Sequence, residues 1–145
     1  MSDVLTLSQI KMPGTARSKD DAIRETGEIL VDVGAVTPAY IDSMFERERS
    51  VSTYMGNYLA IPHGTNESKE SIKRSALSVI RYPEPIDWDG NEVLFALGIA
   101  GYQGGHMDIL SRIAIVFSDT DEVDKLVAAG SAQEIYDLLN AVNEE

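Results

Sequence analysis

Asn57-Tyr58-Leu59-Ala60-Ile61-Pro62-His63-Gly64-Thr65 decides the fold, because here a short apolar run ends on an imidazole held between a proline and a glycine. Tyr58 to Ile61 has strand character. Pro62 cannot donate a ladder hydrogen bond, and Gly64 can take backbone angles closed to other residues. His63 is therefore expected at the end of a sheet strand, presented by a rigid turn. The plain alternative is a histidine that only hydrogen-bonds within its own loop.

A second strand is expected to end in the same way. Asp89-Gly90 signals a hairpin between Ile86-Asp87-Trp88 and the run Val93-Leu94-Phe95-Ala96-Leu97-Gly98-Ile99-Ala100. That run is apolar throughout and reads as a central strand covered on both faces. It leads into Gly101-Tyr102-Gln103-Gly104-Gly105-His106-Met107-Asp108, a glycine-rich loop with the second and last histidine near the start of the next helix. Met107, Leu110, Ile113, Ala114 and Phe117 form that helix's core stripe, and His106 aligns with Leu110 and Ile113 on the inward side.

Working outward from these two strands, Val4 to Ile10 reads as a first strand closed by a turn at Met12-Pro13-Gly14. Ser18 and Asp21 start an amphipathic helix whose face carries Ile23, Gly27 and Leu30, and Gly34 stops it. Thr37-Pro38 opens a second helix running to about Arg49. On it Tyr40, Met44 and Arg47 share one stripe, so Arg47 either covers core with its methylenes or serves a site beside the histidine strand. Thr65 or Asn66 can cap a short helix to about Ile72, and Ser75 to Tyr82 reads as a strand ended by Pro83 and Pro85. A helix over Val123 to Ala129 ends at Gly130, and Ser131 with Glu134 caps a last one carrying Ile135, Leu138, Leu139 and Val142. Strands alternating with helices give an α/β fold, a sheet with helices packed on both faces.

At 145 residues and 43% hydrophobic content, residues 1–145 are expected to form one domain around one core. No apolar run approaches the ~20 residues of a membrane helix, and Met1 to Lys11 lacks the regions of a signal peptide, so a cytosolic location is expected. The chain has no cysteine, which excludes disulfides, thiolate nucleophiles and sulfur ligands. A net charge of −12 argues against nucleic acid and anionic membranes and would steer a basic protein partner inward.

Both histidines follow apolar strands and sit beside glycine, and strand ends carry the ligand crevice of α/β sheets, so one shared site is the economical reading. Neutral imidazole is a good nucleophile toward phosphorus, while loop amides and a helix N-terminus hold phosphate oxygens without a metal. The parts suit phosphoryl transfer through a phosphohistidine, with an arginine of the preceding helix as a fixed positive fork. No metal and no cofactor is called for. Other classes are less well served. A zinc hydrolase would want H-x-x-x-H or H-E-x-x-H, and a serine hydrolase G-x-S-x-G. A non-catalytic interaction domain with both histidines structural stays open.

Arg47-Glu48, Tyr54-Met55-Gly56-Asn57 and Ala60-Ile61-Pro62-His63-Gly64-Thr65 together resemble the phosphorylation-site region of the IIA component of the bacterial phosphoenolpyruvate-dependent sugar phosphotransferase system, mannitol type. The likeness extends over Thr37-Pro38-Ala39-Tyr40, Arg81-Tyr82-Pro83-Glu84, Val93 to Ala100, the His106 segment and the C-terminal helices. It implies a mixed sheet of about five strands flanked by helices. It further implies that His63 takes a phosphoryl group from the phosphocarrier HPr, through Nε2, and passes it to a cysteine of the IIB partner, which acts with the membrane IIC part in sugar import. His106 matches the family's second active-site histidine and Arg47 its arginine, both as stabilisers of the phosphoryl group. The nearest rival within the family is the nitrogen-related regulatory IIA, which signals instead of feeding a sugar.

Overall fold

The computed structural model describes residues 4–65, 70–102 and 105–140. Among them five strands form one mixed sheet in the order β1-β4-β5-β3-β2. These are β1 (Ile10–Lys11), β2 (Tyr54–Gly56), β3 (Leu59–Ala60), β4 (Ala76–Trp88) and β5 (Asn91–Ala100). β4 and β5 form an antiparallel hairpin at the centre, with Ala76 opposite Ala100 and Trp88 opposite Asn91. The Asp89-Gly90 turn that joins them has positive φ at both residues, 55° and 94°, the twist a two-residue hairpin needs. β3 runs parallel to β5, with Leu59 opposite Phe95 and Ala60 opposite Ala96.

Five α-helices among the described residues cover the sheet: α1 (Lys19–Asp32), α2 (Ala39–Ser50), α3 (His106–Phe117), α4 (Thr120–Ala128) and α5 (Ala132–Leu139). Side chains alternate along β5, so Phe95, Leu97 and Ile99 face α3, α4 and α5, while Ala96 and Ala100 face α1 and α2. The near-continuous burial from Val93 to Ala100 follows from this double covering. Small residues set how closely α1 approaches. A Cβ on Gly98 would stand 2.5 Å from Ser78 Oγ and 2.8 Å from Thr26 Cβ, and one on Gly27 would stand 2.7 Å from Ile41 Cγ1 of α2. No helix among the described residues is long and apolar enough to cross a membrane.

Several helix signals hold, but Met107 and Ala114, expected in the core stripe of α3, are exposed, and the N-cap of α2 falls at Pro38 and not Thr37. Ser18 caps α1 by accepting from Asp21 N, Gly34 ends it at φ 77°, and Ser131 caps α5 by accepting from Glu134 N. Three strand readings need correction. The first strand shrinks to Ile10–Lys11, because Leu7–Gln9 is a 3-10 turn that buries Gln9, whose Nε2 donates to Val4 O and Leu77 O. Pro83 and Pro85 do not end the fourth strand, which continues to Trp88. They fall where the ladder to β5 lapses between Arg81 and Ile86, and the other edge pairs β1 only at Val79 and Ile80, so no ladder N–H is demanded of either proline. β2 had not been expected at all, although Gly56-Asn57 is a turn dipeptide of the kind that joins two strands. The short helix expected after Thr65 begins on 66–69, outside the described residues, and does not reach Ile72, which is bridged to Val36; Val142 lies beyond 140, also outside them.

One buried carboxylate ties the start of the chain to α1. Glu25, 7% exposed, accepts from Lys11 Nζ at 2.7 Å, Thr15 N at 3.0 Å, Thr15 Oγ1 at 2.7 Å, Ala16 N at 3.3 Å and Tyr82 OH at 2.9 Å. Burial alone would raise its pKa, but the Lys11 ammonium with Thr15 and Tyr82 outweighs it and holds the group down at about 2, against 4.5 for a free glutamate. A depressed native pKa stabilises the fold above the unfolded pKa and ceases to do so as pH falls through the native one. The contribution of about 3 kcal/mol is therefore expected to drain away between about pH 4.5 and about pH 2. Urea titrations of wild type and Glu25→Gln across that range check this. The stability gap between the two should narrow steadily on acidification, and a constant gap would refute it.

Candidate phosphoryl-transfer site

His63 follows β3 as expected, with its backbone bridged in parallel to Ile99 near the end of β5. Because β3 and β5 are parallel, both run out at the same end of the sheet, where Gly101 carries the chain toward α3. Ile99 N donates to Pro62 O at 3.0 Å, and the ring of His63, half-buried, turns back so that Nδ1 lies 2.8 Å from Ile61 O. A carbonyl oxygen can only accept, so Nδ1 carries the proton and donates it. In the neutral ring this places the lone pair on Nε2.

α2 holds the segments on either side of this histidine. After it, Gly64 N donates to Tyr40 OH at 2.8 Å and Thr65 N to Ser43 Oγ at 2.9 Å. Before it, Glu48, 6% exposed, accepts from Thr53 N at 2.9 Å, from Thr53 Oγ1 and from Trp88 Nε1 at 3.1 Å, and Thr53 O in turn accepts from Ile61 N at 3.1 Å. The chain of bonds Glu48 to Thr53 to Ile61 thus ends on the residue whose carbonyl fixes the imidazole. Tyr40, Ser43 and Glu48 were not read from the sequence as site residues. Their polar tips ride on the inward stripe of α2, where the helical pattern registers only burial.

Arg47 stands one turn beyond Ser43, half-buried, and its Nη1 donates to Val51 O at 2.7 Å. The described bonds from α2 to the histidine loop come from Tyr40 and Ser43. The backbone of His106 is the first residue of α3, as expected from the glycine loop, and Ile109 N donates to Gly105 O at 3.3 Å to start the helix. The side chain of His106, with its expected inward orientation, lies outside the described residues. Ser75 Oγ accepts from Tyr102 N at 2.8 Å, which ties the preceding loop to the edge of β4. Exposed Tyr102 and Met107 flank the start of α3, and exposed Val51 and Met55 flank the start of β2.

A mixed α/β sheet brings the imidazole of His63 to the ends of two parallel strands, the place where α/β sheets carry their ligand crevice. The chain belongs to the family of the phosphoenolpyruvate-dependent sugar phosphotransferase system, EIIA 2, whose pattern matches residues 3–142. It is 51% identical over 141 residues to the mannitol-specific phosphotransferase enzyme IIA component of Halalkalibacterium halodurans, covering 97% of each chain. Its fold superposes on the crystal structure of IIA mannitol from Escherichia coli with a TM-score of 0.86 at 30% identity, covering 93% of this chain and 98% of that one. A complex of enzyme IIA and phosphorylated enzyme IIB of the mannitol system from Escherichia coli matches equally, with a TM-score of 0.86 at 29% identity over 93% of this chain and 96% of that one. The protein is a phosphotransferase component of that system.

Proposed function

We propose that this chain is the cytoplasmic IIA phosphocarrier of a mannitol system, taking a phosphoryl group from phospho-HPr on Nε2 of His63 and passing it to a cysteine of a IIB component. The observation that supports the reading is the 2.8 Å approach of Nδ1 to Ile61 O, which favours the neutral tautomer with its proton on Nδ1 and its lone pair on Nε2, the nitrogen that would attack. In the first step the Nε2–P bond forms while the bond from phosphorus to the donor breaks, and no proton has to leave His63. In the second a IIB thiolate attacks phosphorus, the N–P bond breaks, and Nε2 recovers its lone pair. Support for mannitol, and for IIB as recipient, comes from the names of the relatives. The exposed apolar side chains Val51, Met55, Tyr102 and Met107 suit docking of protein partners.

The transferring group keeps charge on its three equatorial oxygens while its bonds to donor and acceptor are weak, so positioned donors matter more than a base. The first turn of α3 offers backbone N–H groups that no helix satisfies internally. His106 and Arg47 add side-chain donors. A guanidinium has five N–H groups, and the bond to Val51 O uses one of them. Neither residue carries the phosphate. His106→Ala and Arg47→Ala should still be labelled at His63 but transfer to IIB slower by ~10²–10³. Single-turnover transfer from HPr through this protein to purified IIB tests both the route and these roles. Wild-type rates in both variants would leave His106 a core histidine and Arg47 a cover for apolar surface.

A further inference from the structure

We propose that Tyr40 is a positioning residue for the phosphoryl-transfer site, its phenol oxygen forming a rung between Ile99 O and Gly64 N that fixes the backbone carrying His63. The inference rests on the reading of His63 as phosphoryl acceptor. A residue in a parallel ladder ordinarily makes two bonds to its neighbour, its N–H to the residue before its partner and its C=O to the N–H of the residue after. For Ile99 and His63 the first is present, from Ile99 N to Pro62 O at 3.0 Å. The second runs through Tyr40, whose hydroxyl donates to Ile99 O at 2.7 Å and accepts from Gly64 N at 2.8 Å. His63 is therefore tied to one strand residue on both sides, directly before it and through a phenol after it.

The phenol thus keeps the chain anchored to β5 just beyond the histidine. The ring is 2% exposed. Burial, partly offset by the Gly64 amide, pushes the phenol's pKa up to about 12, so the hydroxyl keeps the proton it gives to Ile99 throughout the physiological range. Without the oxygen, Gly64 either closes on Ile99 or turns to solvent. Each outcome rotates His63 about Pro62 and loosens the bond from Nδ1 to Ile61 O. A buried tyrosine that merely filled the core would leave that bond untouched.

Tyr40→Phe removes one atom and keeps the ring. Three measurements on it decide the matter: transfer from phospho-HPr at varied HPr concentration, mass spectrometry of the labelled residue, and imidazole ¹⁵N NMR. The expected result is unchanged stoichiometry at His63, a limiting rate lower by ~10-fold to ~100-fold with an unchanged half-saturating HPr concentration, and His63 ¹⁵N shifts of mixed tautomers. An unaltered limiting rate with an unaltered tautomer would overturn the proposal. Should Tyr40→Phe fail to fold, the wild-type protein still answers. The Tyr40 hydroxyl proton should exchange slowly and show a cross-peak to the Gly64 amide, and its absence would also overturn it. If wild-type protein takes no phosphate at His63, the functional reading fails, while the NMR signatures still report the phenol's hold on the loop.

Discussion

His63→Ala should abolish phosphoryl labelling, with a loss of more than ~10³-fold against wild type. Among the described residues no other histidine ring stands at the strand ends, and the chain has no cysteine to take over. After incubation with phosphoenolpyruvate, enzyme I and HPr, mass spectrometry should find one acid-labile phosphate on wild type and none on the variant. Labelling that survives the substitution would sink the assignment. His63→Gln is expected to fold normally, since the loop is half-buried and its backbone bonds to Ile99, Tyr40 and Ser43 do not involve the ring.

The largest loss of stability is expected from Glu48→Ala. Truncation leaves Thr53 N, Thr53 Oγ1 and Trp88 Nε1 without their acceptor in the interior, and Trp88 is fully buried. Each abandoned donor costs roughly 1–3 kcal/mol, so with three of them a loss of at least about 3 kcal/mol is expected in urea unfolding. Trp88 is the single tryptophan, and its fluorescence follows the transition directly. Glu48→Gln should recover part of the loss, because the amide retains one acceptor oxygen but turns N–H groups on the remaining donors. A loss under about 1 kcal/mol for Glu48→Ala would show that these donors find other acceptors.

The parts of this fold that were legible in sequence are those where a local signal and the tertiary structure agree. The apolar stretch from Val93 to Ala100 could be nothing but a central strand, and Ser18, Gly34, Asp89-Gly90 and Ser131 each carry a backbone requirement in their own chemistry. The failures lie where partners distant in sequence decide. β1 shrinks to the two residues that pair β4, and β2 exists because β3 is there to pair it. Pro83 and Pro85 are tolerated within β4 because of a lapse in the ladder that no local pattern announces. In the site, the flanking proline and glycine marked His63. Tyr40, Ser43 and Glu48 remained hidden, since periodicity reports which residues face inward and not which backbone amide waits there.

The hairpin from β2 into β3 has a consequence for the imidazole. Gly56, Asn57 and Tyr58 all have positive φ, at 95°, 50° and 68°, and Tyr58 O accepts from both Leu94 N and Phe95 N, which sets where β3 meets β5. Only Leu59 and Ala60 then lie in register before the bridge at His63. Side chains alternate between the faces of a sheet, so a slip of one residue would send the ring out through the opposite layer, among the helices that pack there. The face on which the imidazole emerges is thus chosen at Asn57 and Tyr58, in a turn outside the proposed transfer chemistry. Lengthening that turn by a single residue would disarm the protein while leaving its core composition untouched.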